Sequence, residues 1–599
     1  MKEFANSQAF LDVEHSVSGF RWVSLLDQAG VNHALAIAQI HGISDLVARI
    51  LAGRGVGIEK AMDFLNPTLR SLMPNPDTLV DCDKAARRII QAIYQVENIA
   101  ILGDYDVDGA ASVALIARFL NHFGIKTRIY IPDRILEGYG PNPVIIKKLI
   151  DEGAQLIIAV DCGSTSHESL EIAASRNVDV IVIDHHQVGT EIPCAYALVN
   201  PNRQDDLSLQ DHLCAAGVVF LVLVLITRIL RAEYNIQIKD LDLLSFLDIV
   251  ALATVCDAVP LTGLNRAYVR KGIIVARHKG NPGIKALMEL MRRPMPITYD
   301  HFGFMIGPRI NAGGRIGDSN LGSRLLISDN LSEIETIAAQ LDSLNRDRQF
   351  MEATMLQQAE AEVIIKYGDT KGALVIVATG ESWHPGIVGL LATRLKDKFG
   401  CPAFAIAFDN TTGKGIGSGR SVIGFDIGIM VRAALEEGLL LKGGGHAMAA
   451  GLTVEHSNID RLRIFFEEYV HNAGINLAAI KLLKIDGALS AAGATVELFD
   501  MLECVGPYGS CNPKPLFVFP RHKLCNFYPI GSSHLKVIFE NQDSLSIEGI
   551  AFYVIDTPLG NFLMKSRGKW MHIAGYLSMD YWKGRKQVQL HIKDAAACI

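Results

Sequence analysis

Short apolar runs and longer amphipathic stretches alternate through the middle of this chain. The runs IAIL (99–102), QLIIAV (155–160) and VDVIVI (178–183) are rich in β-branched residues and too short for helices, which predicts strands buried on both faces of a parallel sheet. A helix is expected from about Ala110 to His122, and strands and helices alternate from about residue 85 to 270, the βα rhythm of such a sheet. The longest apolar run, Leu213 to Ile226, is too short to cross a bilayer and is expected as a buried helix. Leu331 to Tyr367 contains neither Gly nor Pro. One helix about 55 Å long is predicted there, at ~1.5 Å per residue, opened by a Ser332-x-x-Glu335 capping box and serving as a strut between lobes.

The fold class expected is multidomain α/β with a β-rich tail. Residues 1–75 read as a mostly helical N-terminal cap, closed by the Pro-rich NPTLRSLMPNPDT, with Asp81 or Asp83 capping the next helix. Residues 76–330 form the parallel-sheet domain and 331–367 the connecting helix. Residues 368–470 form a second, glycine-rich α/β unit whose pattern opens at Lys371 with ALVIVA, and 471–599 carry short strand runs of a small OB-like barrel. No internal repeat or low-complexity tract is present.

At 599 residues, 49% hydrophobic and 20% charged, the composition is that of an ordinary globular protein. A net charge of −7 argues against a protein that coats nucleic acid, so contact with a polyanion must come from local basic patches. The ten cysteines include no C-x-x-C pair, which excludes a zinc ribbon or dithiol motif and fits reduced thiols in a cytoplasmic protein; MKEFANSQAF at the amino terminus lacks an apolar signal core.

The chemistry lies where the apolar runs end. GDYDVDG (103–109), VDCG (160–163) and IDHH (183–186) each follow a predicted strand, and Asp257 lies in ATVCDAVPL. Parallel strands release their next residues into the crevice at the carboxyl edge, so these acids should converge on one pocket. Asp106 and Asp108 can face one cation, and Asp161, His185 and Asp257 would complete a shell of hard oxygens and one imidazole suited to Mn²⁺ or Mg²⁺. Two such ions ~3.5–4 Å apart serve phosphoryl displacement by a bound water. Taken singly, an Asp after a strand is commonly a helix N-cap and a DHH triplet structural; the ordered combination favours the metal centre. The second lobe adds anion chemistry. GKGIGSGRS (413–421) and KGGGHAMAAGL (442–452) offer close backbone approach at glycines such as Gly444, with Ser418, Arg420 and His446 as donors. GPRINAGGRIGD (307–318) repeats this with Arg309, Asn311 and Arg315, and Arg134 in PDRILEGYG is a further phosphate candidate, its alternative being a surface salt bridge. There is no Walker A motif.

These blocks, together with NPNR, WHPGIVGLLATRL and PYGSCNPKPLF, occur in an order that resembles the RecJ family of the DHH/DHHA1 phosphoesterase superfamily from about residue 65 to 550. The resemblance implies a DHH domain, a DHHA1 domain and an OB fold, and 5′ to 3′ degradation of single-stranded DNA to mononucleotides with two Mn²⁺ or Mg²⁺ ions. It implies Asp106, Asp108, Asp161, His185 and Asp257 as metal ligands. Asp104, Asp184 and His186 stand beside them as orienting or proton-handling groups. Arg134, Arg309, Asn311, Arg315, His384, Ser418, Arg420, Gly444 and His446 form the DNA-binding set, and His522, Phe527, Tyr528 and Lys536 are candidates on the barrel. A monomer, with single-strand-binding protein and a RecQ-type helicase as partners in recombination and repair, is implied in the same way. Departures are Leu102 where many relatives have a liganding His, Cys511 for a common Gly and Gly313 for a common Ala. The rivals are a small-molecule phosphoesterase of the superfamily, against which the strut and the tail speak, and a scaffold that has lost its metals, against which the complete ligand set speaks.

Overall fold

The computed structural model describes residues 8–234, 241–291, 296–368, 373–474, 481–582 and 585–598; the expected start of the second unit at Lys371 and most of MKEFANSQAF lie outside them. The N-terminal region, expected to be mostly helical, contains the helices Gln28–His41 and Asp45–Gly53 but also a strand, β1 (Phe20–Ser24).

The parallel sheet contains β2 (Ile99–Gly103), β3 (Arg128–Tyr130), β4 (Leu156–Val160), β5 (Asp179–Ile183) and β6 (Ala197–Val199), in the order β3-β2-β4-β5-β6. Strands β2 and β4, and β5 after Asp179, are apolar throughout because alternate side chains go to different cores. Ile101, Ile158 and Ile181 face the helices Val107–His122 and Ala215–Ala232, while Leu102, Ala159 and Val182 face Pro143–Asp151 and His167–Ser175. Ala215–Ala232 has the length and composition of a membrane span, yet most of it is buried, packed on Cys82–Gln95 and Val107–His122. Asp81 precedes Cys82–Gln95 but makes no cap; its carboxylate instead accepts from Leu198 N and Arg203 Nη1.

The strut forms over the whole predicted span, Leu331–Tyr367, but its start is corrected. Asn330, not Ser332, is the N-cap, its Oδ1 accepting from Ser332 N and Glu333 N. Asn330 stands directly before the first helical residue, where a side-chain oxygen meets the free N–H groups of the first turn, whereas Ser332 is already inside the helix. Glu352 and Glu362 of the strut pair with Arg394 and Arg463 and so seat the second lobe. That lobe is a mixed sheet of β7 (Ile376–Gly380), β8 (Ala403–Asp409), β9 (Lys414–Arg420), β10 (Lys442–His446) and β11 (Ala449–Glu455), ordered β10-β11-β9-β8-β7. The glycine-rich segments expected as phosphate-cradling loops are thus strands. Their glycines make room: a Cβ on Gly419 would stand 2.4 Å from the Phe404 ring, and one on Gly415 2.7 Å from Phe408.

The tail contains β12 (Lys481–Ile485), β13 (Gly487–Ala488), β14 (Phe517–Ile530), β15 (His534–Glu540), β16 (Ser546–Ala551), β17 (Trp570–Trp582) and β18 (Arg585–Ala597). The ring β14-β15-β16-β18-β17 closes through a β14–β17 pairing, giving the five-stranded barrel. Beside it β1 pairs in parallel with β12, Trp22 Nε1 donates to buried Asp594 at 2.8 Å, and Arg54 pairs with Asp486 at 2.9 Å. Residues Ile37, Ile50 and Leu51 share one core with Phe519 and Val537. The N-terminal segment therefore packs against the barrel and shares its core.

Candidate active site

The register of the parallel sheet builds the site. Gly103 pairs with Val160, Val160 with Ile183 and Ile183 with Val199, so Asp104, Asp161, Asp184 and Asn200 leave the sheet side by side. Strand order reverses between β2 and β4, which puts Asp104 and Asp161 at the topological switch point, where open α/β sheets bind ligands. Asp161 is held at φ 59°, a left-handed conformation costly for a residue with a Cβ and concentrated at functional sites. Gly109 is demanded by proximity: a Cβ there would lie 2.4 Å from the Asp104 carbonyl oxygen.

The acids play two parts at once. Asp106 is the N-cap of Val107–His122, its Oδ1 accepting from Asp108 N and Gly109 N, yet it also clusters with Asp104 and Asp161. Asp108 is buried, its oxygens accepting from Ala215 N and Ala216 N at 2.7 and 2.9 Å, and it groups with His185 and Asp257. His185 Nε2 lies 3.4 Å from Asp161, 3.6 Å from Asp257 and 3.7 Å from Asp108. All five expected ligands are brought together, and Asp104 stands among them rather than beside them.

Two buried carboxylate oxygens, Asp104 Oδ1 and Asp161 Oδ1, have no hydrogen-bond partner. Burial first, and neighbouring carboxylates second, push Asp104 and Asp257 up to about 8, and Asp161 is raised for the same reasons. A buried knot of carboxylates with unsatisfied oxygens and one imidazole is a donor set that fits hard divalent cations.

Asp184 turns away from this knot. It accepts from the backbone of Ser164, His185 and His186 and from His186 Nδ1 at 2.7 Å. Burial alone would raise its pKa, but these bonds outweigh burial and hold it below the ordinary carboxylate range. Burial likewise opposes charge on His186, but Asp184, with Asp257 and Asp104 behind it, carries that imidazole up to about 9.

Facing the acids from the other side is a group of arginines. Arg315 Nη1 donates to Gly386 O at 3.1 Å, and the lobes approach so closely there that a Cβ on Gly386 would touch the Arg315 carbonyl at 2.2 Å. Burial, then Arg134 and Arg348, lower Arg315 to about 10, and burial and Arg134 lower Arg420. Arg420 donates to Ser418 Oγ at 2.8 Å, and Gly389, near the start of Val388–Phe399, leaves space before both. Neither Arg134, Arg315 nor Arg420 has a carboxylate within ion-pair reach among the described residues, so the salt bridge considered for Arg134 does not form. His384 stands in the same inter-lobe loop, its Nδ1 accepting from Gly386 N.

Other expected residues fall elsewhere. Arg309 is committed to the strut, pairing with Asp342 at 2.9 Å and donating to Met305 O, because its helix turn faces Leu331–Tyr367. Asn311 is half-buried on Gly307–Ile316. Gly444 and His446 are exposed at the sheet edge, with His446 Nδ1 accepting from Met448 N. On the barrel His522 is buried and accepts from Ala491 N, so it has no face for a strand of DNA; Phe527 is half-buried on the core and Lys536 pairs with Glu548, leaving Tyr528 exposed. Sequence reasoning missed the scaffold of the DHH loop. Asn200 Nδ2 donates to Ser164 Oγ and His186 O, Asn202 to His185 O, and the Tyr139 hydroxyl to Asp161 O at 3.0 Å. The available signal was NPNR (200–203) directly after the short run Ala197–Val199, where another residue of the sheet edge had to fall.

Comparison with known proteins agrees with this architecture. Residues 98–254 match the DHH family, N-terminal domain, residues 372–472 the DHHA1 domain and residues 485–594 the RecJ OB domain. The single-stranded-DNA-specific exonuclease RecJ of Salmonella typhimurium is 34% identical over 92% of this chain and 95% of its own length. This chain belongs to the RecJ family. The crystal structure of Thermus thermophilus RecJ in complex with Mn²⁺ matches 96% of this chain and 79% of its own, with a TM-score of 0.76 and 26% identity. The Mg²⁺ complex of the same RecJ matches 97% and 78%, with a TM-score of 0.72 and 25% identity. Both cations that the donor set suits are thus bound by solved RecJ structures.

Proposed function

We propose that this RecJ-family chain is a metal-dependent exonuclease that degrades single-stranded DNA from its 5′ end to 5′-mononucleotides. One observation carries the mechanism: an edge of unsatisfied buried carboxylates faces a group of arginines without carboxylate partners. Neither is electrostatically complete alone, and cations plus a phosphodiester complete both.

In this reading Asp104, Asp106, Asp108, Asp161, His185 and Asp257 hold Mn²⁺ or Mg²⁺, which when bound supplies an acidified water and charge neutralisation at the phosphate. Asp184 orients the DHH loop and engages His186 Nδ1, leaving Nε2 to give or take a proton. Arg134, Arg315 and Arg420, with Ser418 and His384, hold the terminal phosphates from the second side, and a cleft between lobes joined by one strut would admit a single strand and exclude a duplex without base contacts. The working division is 1–75 N-terminal, 76–330 catalytic, 331–367 strut, 368–470 phosphate-holding and 471–599 strand-gripping. From the family resemblance the reading adds a monomer acting beside single-strand-binding protein and a RecQ-type helicase. It also adds a cytoplasmic setting, which the ten free cysteines support.

The test is degradation of an oligonucleotide labelled at either end, with Mn²⁺, beside a duplex control and Asp106→Ala. Mononucleotides released from the 5′ end of the single strand, and absent with the variant, are expected; release from the 3′ end, or turnover of dinucleotides alone, overturns the reading.

A further inference from the structure

Arg134, like Arg315 and Arg420, stands apart from the paired arginines of the strut and its neighbours. Arg309, Arg348, Arg394 and Arg463 each pair with a carboxylate, but Arg134 has none among the described residues. The loop that carries it contains two acids, and both are turned to other work. Asp133 accepts from Ile135 N and Leu136 N, and Glu137 accepts from the Tyr130 hydroxyl and Asp133 N. What Arg134 does have is an aromatic face: its guanidinium carbon lies 4.8 Å from the centroid of the Tyr105 ring.

The backbone that carries this ring is itself tightly held. Tyr105 stands between Asp104 and Asp106 in the strand-to-helix turn, and Gly314 brings the helix Gly307–Ile316 against its backbone, so closely that a Cβ there would lie 2.4 Å from the Tyr105 carbonyl oxygen. A carboxylate in the ring's place would locate Arg134 equally well but would neutralise its charge and occupy its donors. An aromatic face attracts the cation through its quadrupole and leaves all the guanidinium N–H groups open. Arg134 also lies near enough to Arg315 and Arg420 to depress both. Its exact placement therefore decides whether three cations can share one anion.

We propose that Tyr105 is a positioning residue that sets the Arg134 guanidinium for the terminal phosphate, and through it sets the preference for a phosphorylated 5′ end. This rests on the reading that the arginine group holds that phosphate. The role belongs to the ring and not to the hydroxyl, for which no hydrogen bond is needed.

The measurement is the ratio of kcat/KM for a 5′-phosphoryl over a 5′-hydroxyl oligonucleotide, in the full-length Mn²⁺ enzyme, for the native protein, Tyr105→Phe, Tyr105→Leu, Arg134→Ala and the Tyr105→Leu/Arg134→Ala pair. Tyr105→Phe should keep the ratio. Tyr105→Leu should reduce it roughly 3- to 30-fold, the range of a partly desolvated cation–π contact, mainly through KM, and should add nothing once Arg134 is gone. If Tyr105→Leu loses the Mn²⁺-induced rise in melting temperature, Tyr105→Met takes its place. Equal loss on both substrates, or an effect that persists without Arg134, overturns the proposal while leaving the arginine-held phosphate intact. A native enzyme that ignores the 5′ phosphate overturns that reading, and this one with it.

Discussion

The two five-stranded sheets of this protein solve opposite electrostatic problems. The parallel sheet β3-β2-β4-β5-β6 delivers acids to one edge, where burial and mutual repulsion leave Asp104 and Asp161 with unpartnered oxygens. The mixed sheet β10-β11-β9-β8-β7 presents Ser418 and Arg420 from a strand thinned by glycines, near Arg134 and Arg315. Each lobe is charged in a way that costs stability on its own. On the proposed reading, this difference makes the gap between the sheets the reaction site, completed by what enters it.

The sharpest way to break this comparison is on the acidic side. Asp106→Ala and Asp161→Ala should each lose on the order of 10³-fold or more in kcat/KM on single-stranded DNA, several kcal/mol of barrier; in EDTA Asp161→Ala should melt no lower than the native protein, since a repelling charge has gone, whereas Asp106→Ala also gives up its helix cap, about 1 kcal/mol. Activity within tenfold of native would remove the acid edge from the chemistry. On the basic side, Arg420→Ala should cost roughly 10²–10³-fold in kcat/KM, as losing one preorganised donor does, again without lowering the melting temperature; a stability loss would make Arg420 structural. Adding Mn²⁺ to metal-free protein should stabilise it by about 2.7 kcal/mol at a hundredfold excess over Kd, and Asp161→Ala should abolish that gain in a thermal scan. Gly419→Val, which drives a side chain into Phe404, should destabilise by about 1–3 kcal/mol in urea unfolding. Arg309→Ala should change kcat/KM by about twofold at most, since its partner is Asp342 on the strut and pairs of this kind contribute little; a large loss would return Arg309 to the DNA-binding set.

Much of the catalytic domain was legible because local pattern and tertiary role coincide there. IAIL, QLIIAV and VDVIVI could only be buried strands, and the strut could only be one helix, without Gly or Pro to break it. The second lobe was less legible. Glycines in GKGIGSGRS and KGGGHAMAAGL suit a loop or a strand equally well, and in the first block what decided the matter was the volume of Phe404 and Phe408 on the neighbouring strand. Asp106 shows why single-residue alternatives mislead: it is a helix cap through one oxygen and a member of the acid cluster besides. The burial of His522 and the pairing of β1 with β12 depend on residues far away along the chain, and no local pattern carries that information.

The sequence by itself determined which residues leave the sheet at its carboxyl edge, because hydrophobic periodicity sets strand ends and a parallel sheet exposes whatever follows them. Only the tertiary structure decided that Asp104 stands among the clustered acids while Asp184 braces the loop, and that Arg134 lies on Tyr105 while Arg309 lies on Asp342. Those choices turn on strand register and lobe packing, which fix side-chain direction to within a few ångströms and are sums over many distant contacts.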